Sequence, residues 1–427
     1  MTILLDNILL AQKQGEARGL PSICSAHPWV LKAAMRSGAA HLLIESTCNQ
    51  VNQHGGYTGM TPAAFAAYVQ DLARENGYPP DRILLGGDHL GPNVWQHEPA
   101  ASAMAKAEQL VRDYVDAGYS KIHLDCSMKL GDDPEGPLNV EVAAQRAARL
   151  ARAAEEAAAR IGRNQALRYV IGTEVPVPGG ATEHEGGVAV THPADARQTI
   201  EATRDAFRRL GLDEAWERVA ALVVQPGVEF GDDFILDYDP AAAADLARFI
   251  EPYPFVYEAH STDYQTPEAL AALVRDHFAI LKVGPALTFA FREGVFALAM
   301  MEDELIPVDR RSRIIQVLDE VMVAHPRYWQ TYYQGDAHTQ SLKRKYSFSD
   351  RIRYYWPQPQ VRRALRVLFS NLAQTAIPLG LISQFLPQQF AKIRQGRLQP
   401  KSEAMLLDKI LDALRVYFDA CQVDANS

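Results

Sequence analysis

Short apolar runs recur along the first two-thirds of the chain, and stretches of helical length separate them. Ser22-Ile23-Cys24-Ser25, leading into Ala26-His27-Pro28, reads as strand one. His41–Ser46 reads as strand two and Ile83–Asp88 as strand three. Lys121–Asp125 alternates polar and apolar positions and reads as strand four. Tyr169–Glu174, Ala220–Gln225, Phe255–His260 and Ala279–Gly284 read as strands five to eight. Between them the pattern predicts helices from Trp29, from Thr61-Pro62, and over 101–117, 140–161, 194–210, 240–250 and 267–277, with a further helix over 7–18. Thr61 supplies a capping hydroxyl, and Pro62 suits a first turn, where no N–H is needed. Strands alternating with helices predict a parallel sheet with crossover connections. Eight such units over residues 1–285 predict a (β/α)8 TIM barrel. A doubly wound open sheet is the competitor, but no glycine fingerprint follows strand one.

From residue 286 the pattern turns helical, interrupted at Pro307, Pro326, Pro357-Gln358-Pro359 and Pro387. The expected organisation is a barrel over 1–285 carrying the site and a C-terminal helical extension over 286–427 packed on it. The aromatic stretches Tyr328-Trp329 and Tyr354-Tyr355-Trp356 are assigned to packing, and the basic run Lys343-Arg344-Lys345 to a solvated face. With 48% apolar and 22% charged residues the chain has a globular composition, and its net charge of −9 argues against nucleic acid as a partner. No apolar run approaches a membrane span, and Met1–Asp6 lacks the features of a signal peptide. The 4 cysteines, Cys24, Cys48, Cys126 and Cys421, have no paired-ligand spacing, which fits a reducing cytoplasm.

In a barrel of this kind the active site gathers at the C-terminal ends of the strands. Strand one delivers Ser25 and His27 there, strand two Glu45 and Asn49, strand three Asp88 and His89, and strand four His123 and Asp125. Strand five delivers Glu174, strand six Gln225, strand seven Glu258 or His260, and strand eight Lys282 and Gly284. Ionisable groups converge there, and such groups are rarely buried unless paired or bound to metal. Two histidines from separate strands plus a carboxylate make a catalytic zinc site with an open position. His89 and His260 are the expected ligands. Glu174 ranks first as the third, ahead of His123 and Gln225, and also counts among the catalytic groups. Such a metal, zinc first with manganese or magnesium as alternatives, would polarise a carbonyl and stabilise an enediolate. Asp88, beside a ligand, is the expected general acid/base. Glu45, Asn49, His123, Asp125, Gln225 and Lys282 are expected to bind substrate. Gly284 and the pair Ser261-Thr262 are the candidates for phosphate recognition, which needs small residues and free N–H groups. The glycine-rich loop from Val175 to His192 is the expected cover.

Several stretches resemble a known family. They are Ser22-Ile23-Cys24-Ser25-Ala26-His27-Pro28, Ile44–Gln53, Gly87-Asp88-His89-Leu90-Gly91-Pro92, Tyr257-Glu258-Ala259-His260-Ser261-Thr262-Asp263 and Ser349–Trp356. All resemble the Z-subunit family of class II tagatose-bisphosphate aldolases, and the resemblance covers essentially the whole chain. It implies one of three activities: a non-catalytic partner that supports a separate aldolase subunit, a sugar-phosphate kinase, or a metal-dependent 4-epimerase of tagatose 6-phosphate and fructose 6-phosphate. The kinase label finds no Walker-type phosphate loop and no kinase signature. Against the catalytic class II aldolases the match is partial. Asp88-His89 and His260 correspond, but Gln225 in Gln225-Pro226-Gly227 stands where those enzymes carry another zinc histidine. The leading expectation is the 4-epimerase, working by retro-aldol and aldol steps on a divalent metal. The alternative is the stabilising aldolase subunit. The partner classes expected are a sugar phosphate, a class II aldolase catalytic subunit and further copies of the chain.

Overall fold

The computed structural model describes residues 2–173 and 188–424. Eight parallel strands close into a barrel: β1 (Leu20–Cys24), β2 (Leu42–Thr47), β3 (Ile83–Leu90), β4 (Lys121–Leu124), β5 (Arg168–Ile171), β6 (Val219–Val223), β7 (Val256–Ala259) and β8 (Phe278–Val283). Each pairs with its neighbours in sequence, and β8 returns to β1. The expected barrel is therefore observed, with all eight strands where the apolar runs place them. Strand β3 continues two residues past Asp88, and an antiparallel pair, Glu229–Phe230 with Ile235–Leu236, adds to the segment after β6.

Two different fillings occupy the lumen. Its lower half is apolar, built from Leu20, Leu43, Leu84, Val170, Val256 and Ile280, and the N-terminal helix Thr2–Lys13 packs Leu5 and Ile8 into it. Its upper half holds charged side chains. The larger apolar core lies between the strands and the surrounding helices, where the helices present alanine, leucine and valine on one face. Thr61 caps its helix as expected, its side chain accepting from the Ala64 N–H.

Residues after 285 are mostly helical. The helix Pro285–Leu305 leaves β8, and the chain's last helix, Ser402–Ala420, packs against it and against the barrel helices Pro28–Met35 and Pro267–Arg275. Tyr417 donates to the carbonyl of Thr262 at 2.7 Å, and the Gly19 N–H donates to that of Cys421 at 3.0 Å. The end of the chain thus completes the helical ring next to β1. The four cysteines are free, and no helix of the described residues is long and apolar enough to cross a membrane.

Candidate active site

Strand periodicity aims the first groups. On β4, Lys121 and His123 are two apart and share the inner face, and Asp125 continues the row. On β7, Glu258 and His260 do the same. Strand β3 departs from alternation. Gly87 pairs with Ile122 and Leu90 with Leu124, so Asp88 and His89 together oppose His123 alone. This is a bulge, and His89 takes a left-handed conformation with φ 48°. The bulge turns both neighbours toward the lumen. It also needs close backbone approach, because a Cβ on Gly91 would lie 1.7 Å from the carbonyl oxygen of Asp125.

A buried ionic network results. The Lys121 Nζ lies 2.6 Å from Glu45 and 2.6 Å from Glu258. Lys282 Nζ is 3.1 Å from Glu45, 3.9 Å from Glu258, and in direct contact with Asp88. Ser22 donates to Glu45 at 2.7 Å. His89 Nδ1 is 2.8 Å from Asp125, His260 Nε2 is 3.0 Å from Glu258, and His123 Nδ1 is 2.9 Å from Asp88. The rings of His89, His123 and His260 form a triangle with centroid separations of 5.1, 4.9 and 5.2 Å.

Protonation follows from these neighbours. Burial alone would raise the Asp88 carboxyl, but His89, Lys282 and His123 outweigh it and hold Asp88 well below the usual carboxylate range. Burial opposes the ammonium of Lys282, yet Asp88 leads a group of partners that push it well above its usual value. Lys121 is likewise raised by Glu258 and Glu45 against the pull of burial. Both lysines are therefore cations and not free amine nucleophiles. Burial, helped by Lys282, lowers His260 to about 3 and keeps it neutral. For His89 burial acts downward, and Asp88 with Asp125 raises it overall.

The residues fit a divalent cation on two grounds. Four carboxylates (Glu45, Asp88, Asp125, Glu258) face two ammonium groups and the His89 imidazole in this cluster, so buried acids outnumber the basic groups that pair with them. In addition, His123 Nε2 is buried without a hydrogen-bond partner. The His123 Nδ1 also lies 3.1 Å from the His89 backbone N–H. The ionised Asp88 can only accept and makes the stronger, charge-assisted bond, so it draws the ring proton to Nδ1 and leaves a lone pair on Nε2. A carboxylate behind a histidine in this way is the usual support of a metal-binding imidazole. Donor atoms of Asp88, His123, Glu258 and His260 all lie within 4.8 Å of one another.

A cavity of about 1090 Å³ opens above this cluster. Asp88, His89, His260 and Lys282 reach it from the barrel, while Tyr328, Tyr354 and Trp356 and several arginines line it from the C-terminal helices. The aromatic stretches assigned to packing thus also face the cavity, with Tyr354 lying 4.8 Å from both Tyr57 and Tyr328, ring to ring. In the basic run, Lys343 pairs with Asp232 at 2.9 Å, and Arg344 is buried against Asp319 at 2.6 Å.

Of the residues singled out from sequence, Asp88, His89, His260, Glu45, His123, Asp125 and Lys282 come together. Asn49, Ser261 and Gly284 line the cavity above them. The Gly284 N–H is already used by Asp263 at 3.0 Å, as is that of Ala286 at 2.8 Å. Thr262 turns away and donates to the Lys282 carbonyl at 2.6 Å. Gln225 is also turned aside, accepting from the Gly227 N–H at 2.8 Å. Glu174, and the expected cover as far as residue 187, lie outside the described residues. Sequence reading passed over Lys121 and the cavity arginines. The parity of 121, 123 and 125 along one strand was a usable signal for the lysine. Nothing local marks the arginines.

A family model described as D-tagatose-1,6-bisphosphate aldolase subunit GatZ/KbaZ-like matches residues 5–422. The chain belongs to this GatZ/KbaZ-like family. The crystal structure of a probable tagatose 6 phosphate kinase from Sinorhizobium meliloti 1021 is 47% identical, with a TM-score of 0.87 over 95% of this chain and 100% of that one. Two aldolase structures are far more distant. The YdjI aldolase from Escherichia coli K12 is 10% identical, with a TM-score of 0.40 over 85% of this chain and 93% of that one. The fructose-bisphosphate aldolase from Campylobacter jejuni is 15% identical, with a TM-score of 0.41 over 86% and 94%. Both are too remote to match individual residues. Membership of the GatZ/KbaZ-like family relates this barrel to sugar-phosphate aldolases.

Proposed function

We propose that this protein is a metal-dependent 4-epimerase of ketohexose phosphates, interconverting tagatose 6-phosphate and fructose 6-phosphate by retro-aldol and aldol steps. The observation that carries the reading is the triangle of His89, His123 and His260 beside the Asp88–Lys282 pair, on the floor of a cavity with ample room for a sugar phosphate. His123 and His260, whose donor atoms converge with those of Asp88 and Glu258, would hold the ion, with His89 as the third imidazole beside them and Asp125, Asp88 and Glu258 orienting the three rings. When bound, a divalent ion supplies polarisation of the sugar carbonyl and stabilisation of negative charge.

The chain's own groups do the rest. Asp88, kept ionised by His89, Lys282 and His123, takes the proton of the C4 hydroxyl. The electrons of that O–H bond form the aldehyde, and those of the C3–C4 bond pass to the enediolate fragment. Lys282 stays protonated and gives Asp88 a fixed position. Rotation of the aldehyde about C4–C5 presents its other face. The C3–C4 bond then re-forms, and Asp88 returns the proton to the new C4 oxygen. The cavity walls keep the fragments together, so epimerisation needs no release. A scaffold would have no use for such a converging set of buried charges, which is why the catalytic reading ranks above a purely stabilising aldolase subunit.

The test is purified protein with fructose 6-phosphate and added zinc or manganese, against a chelator control, with products followed by NMR. Chelator-sensitive tagatose 6-phosphate is the expected result. Absence of turnover with every metal would overturn the reading and favour the subunit role, to be pursued by co-purification with a class II aldolase.

A further inference from the structure

The cavity has an electrostatic gradient. Its floor carries the carboxylate-rich cluster. Its outer wall is cationic: Arg327, Arg351, Arg353, Arg362 and Arg366 line it, and among the described lining residues the carboxylates are Asp88 and Asp263. Two of these arginines are committed within the protein. Arg353 donates to the Asp350 carbonyl at 3.0 Å and to the Tyr354 hydroxyl at 2.9 Å. Arg351 lies over the ring of Tyr332 at 3.2 Å.

Arg327, Arg362 and Arg366 are different. All three are exposed and none has an ion pair among the described residues, although Arg327 lies 5.5 Å from the ring of its neighbour Tyr328. Arg362 and Arg366 stand one helical turn apart on the helix Pro359–Ala373, with Leu365 of the same helix also lining the cavity. Like charges at that spacing repel, so the pair works against its own helix unless an anion lies between the guanidinium groups. Arg327 joins them from the turn Pro326–Tyr328. Guanidinium forks match phosphate oxygens in geometry and charge.

We infer that Arg327, Arg362 and Arg366 form a phosphate subsite at the cavity mouth, and that the site selects ketoses phosphorylated at the end remote from the carbonyl. This rests on the epimerase reading for where the carbonyl lies. A carbonyl end seated at the His89–His123–His260 triangle sends C6 outward toward the arginines. A phosphate on C1 would instead sit against the carboxylates of the floor. The subsite thus favours 6-phosphates over 1-phosphates and 1,6-bisphosphates. It also gives the reaction an anchor. With C5, C6 and the phosphate held, the aldehyde can turn about C4–C5 without leaving.

Binding to the full-length protein tests this without reference to turnover. Dissociation constants for fructose 6-phosphate, fructose 1-phosphate, D-fructose and D-fructuronate are measured by ligand-observed NMR, for the wild type and for R362Q/R366Q and R362K/R366K. Fructose 6-phosphate is expected to bind about tenfold or more tighter than fructose 1-phosphate. R362Q/R366Q is expected to weaken fructose 6-phosphate by about tenfold or more and leave D-fructose unchanged, with R362K/R366K restoring part of the loss. Four results overturn the inference: no binding of fructose 6-phosphate, equal binding of the two monophosphates, equal weakening of phosphorylated and free sugar, or fructuronate bound as tightly as the 6-phosphate. A protein that binds through these arginines yet never forms tagatose 6-phosphate would sink the epimerase reading alone.

Discussion

Lys121 of β4 and Glu258 of β7 meet across the barrel, with Nζ 2.6 Å from Oε2, although β5 and β6 separate their strands. The same ammonium reaches Glu45 of β2 on its other side, also at 2.6 Å. One fully buried lysine therefore ties three strands together beneath the reactive cluster. Lys121→Met removes the charge and keeps the length. It leaves two buried carboxylates facing each other, and the expected loss is about 3–5 kcal/mol of stability, read from urea unfolding. A variant as stable as the wild type would show that the network is not a structural tie.

Asp125 acts on His89 from behind, with Nδ1 and Oδ2 2.8 Å apart. Asp125→Asn would still fill the space but would no longer fix the ring tautomer. If His89 holds the ion, metal affinity falls about 10–100-fold, measured by competition with a chelator of known affinity. Unchanged affinity would remove His89 from the ligand set.

Metal removal should also register as lost stability. Ions that bind only the folded state add about 2.7 kcal/mol at a concentration 100-fold above their dissociation constant. Thermal melts with chelator and with zinc or manganese are expected to differ accordingly, and His123→Ala should abolish most of the difference, because the unpartnered Nε2 is gone.

Asp88→Asn keeps the side chain's size and removes the proton acceptor. On the proposed reading, the expected effect is a fall in epimerase kcat of about 10²- to 10⁴-fold at saturating metal, with metal affinity lowered as well because Asp88 also supports the His123 ring. Full activity in this variant would assign the proton transfer to another group.

Asp350 offers a pH test away from the reactive cluster. It is buried, stands in a left-handed conformation with φ 47°, and accepts from Thr288 at 2.5 Å. Burial pushes its carboxyl up to about 7, against the opposing pull of Arg292 and Arg353. An unfolded aspartate ionises near 4, so between about pH 4 and 7 the unfolded chain loses a proton that the folded chain keeps. The contribution to stability is full below pH 4 and is lost as pH rises toward 7. Asp350→Asn tolerates the same backbone region and cannot ionise. It should therefore gain on the wild type by up to a few kcal/mol at pH 8 and not at pH 4, as read from denaturant midpoints at both values. An equal difference at both values would show that Asp350 does not titrate in this range.

Much of the barrel was legible because its causes are local. Apolar runs at strand length, separated by amphipathic stretches, record which backbone segments are extended and buried. The strand ends also named Asp88, His89 and His260 as partners, since in a closed parallel barrel every strand's C-terminal end faces the same mouth. The bulge at Asp88-His89 was less visible. Two adjacent residues on one strand should face opposite ways, and only the pairing of Gly87 with Ile122 and Leu90 with Leu124 shows why both turn inward.

What the chain alone determined is thus the order of elements and the chemical character of each strand end. Tertiary structure decided which of those ends touch. It set His123 against Asp88 and turned Gln225 onto its own Gly227 N–H. It gave the Gly284 N–H to Asp263 in place of a phosphate, and it carried Arg327, Arg362 and Arg366 over a mouth built mainly from residues before 285. The reason is physical. Periodicity encodes which face of an element is buried, but distances across the lumen depend on closure, strand stagger and the path of the last helices, and no local pattern records these.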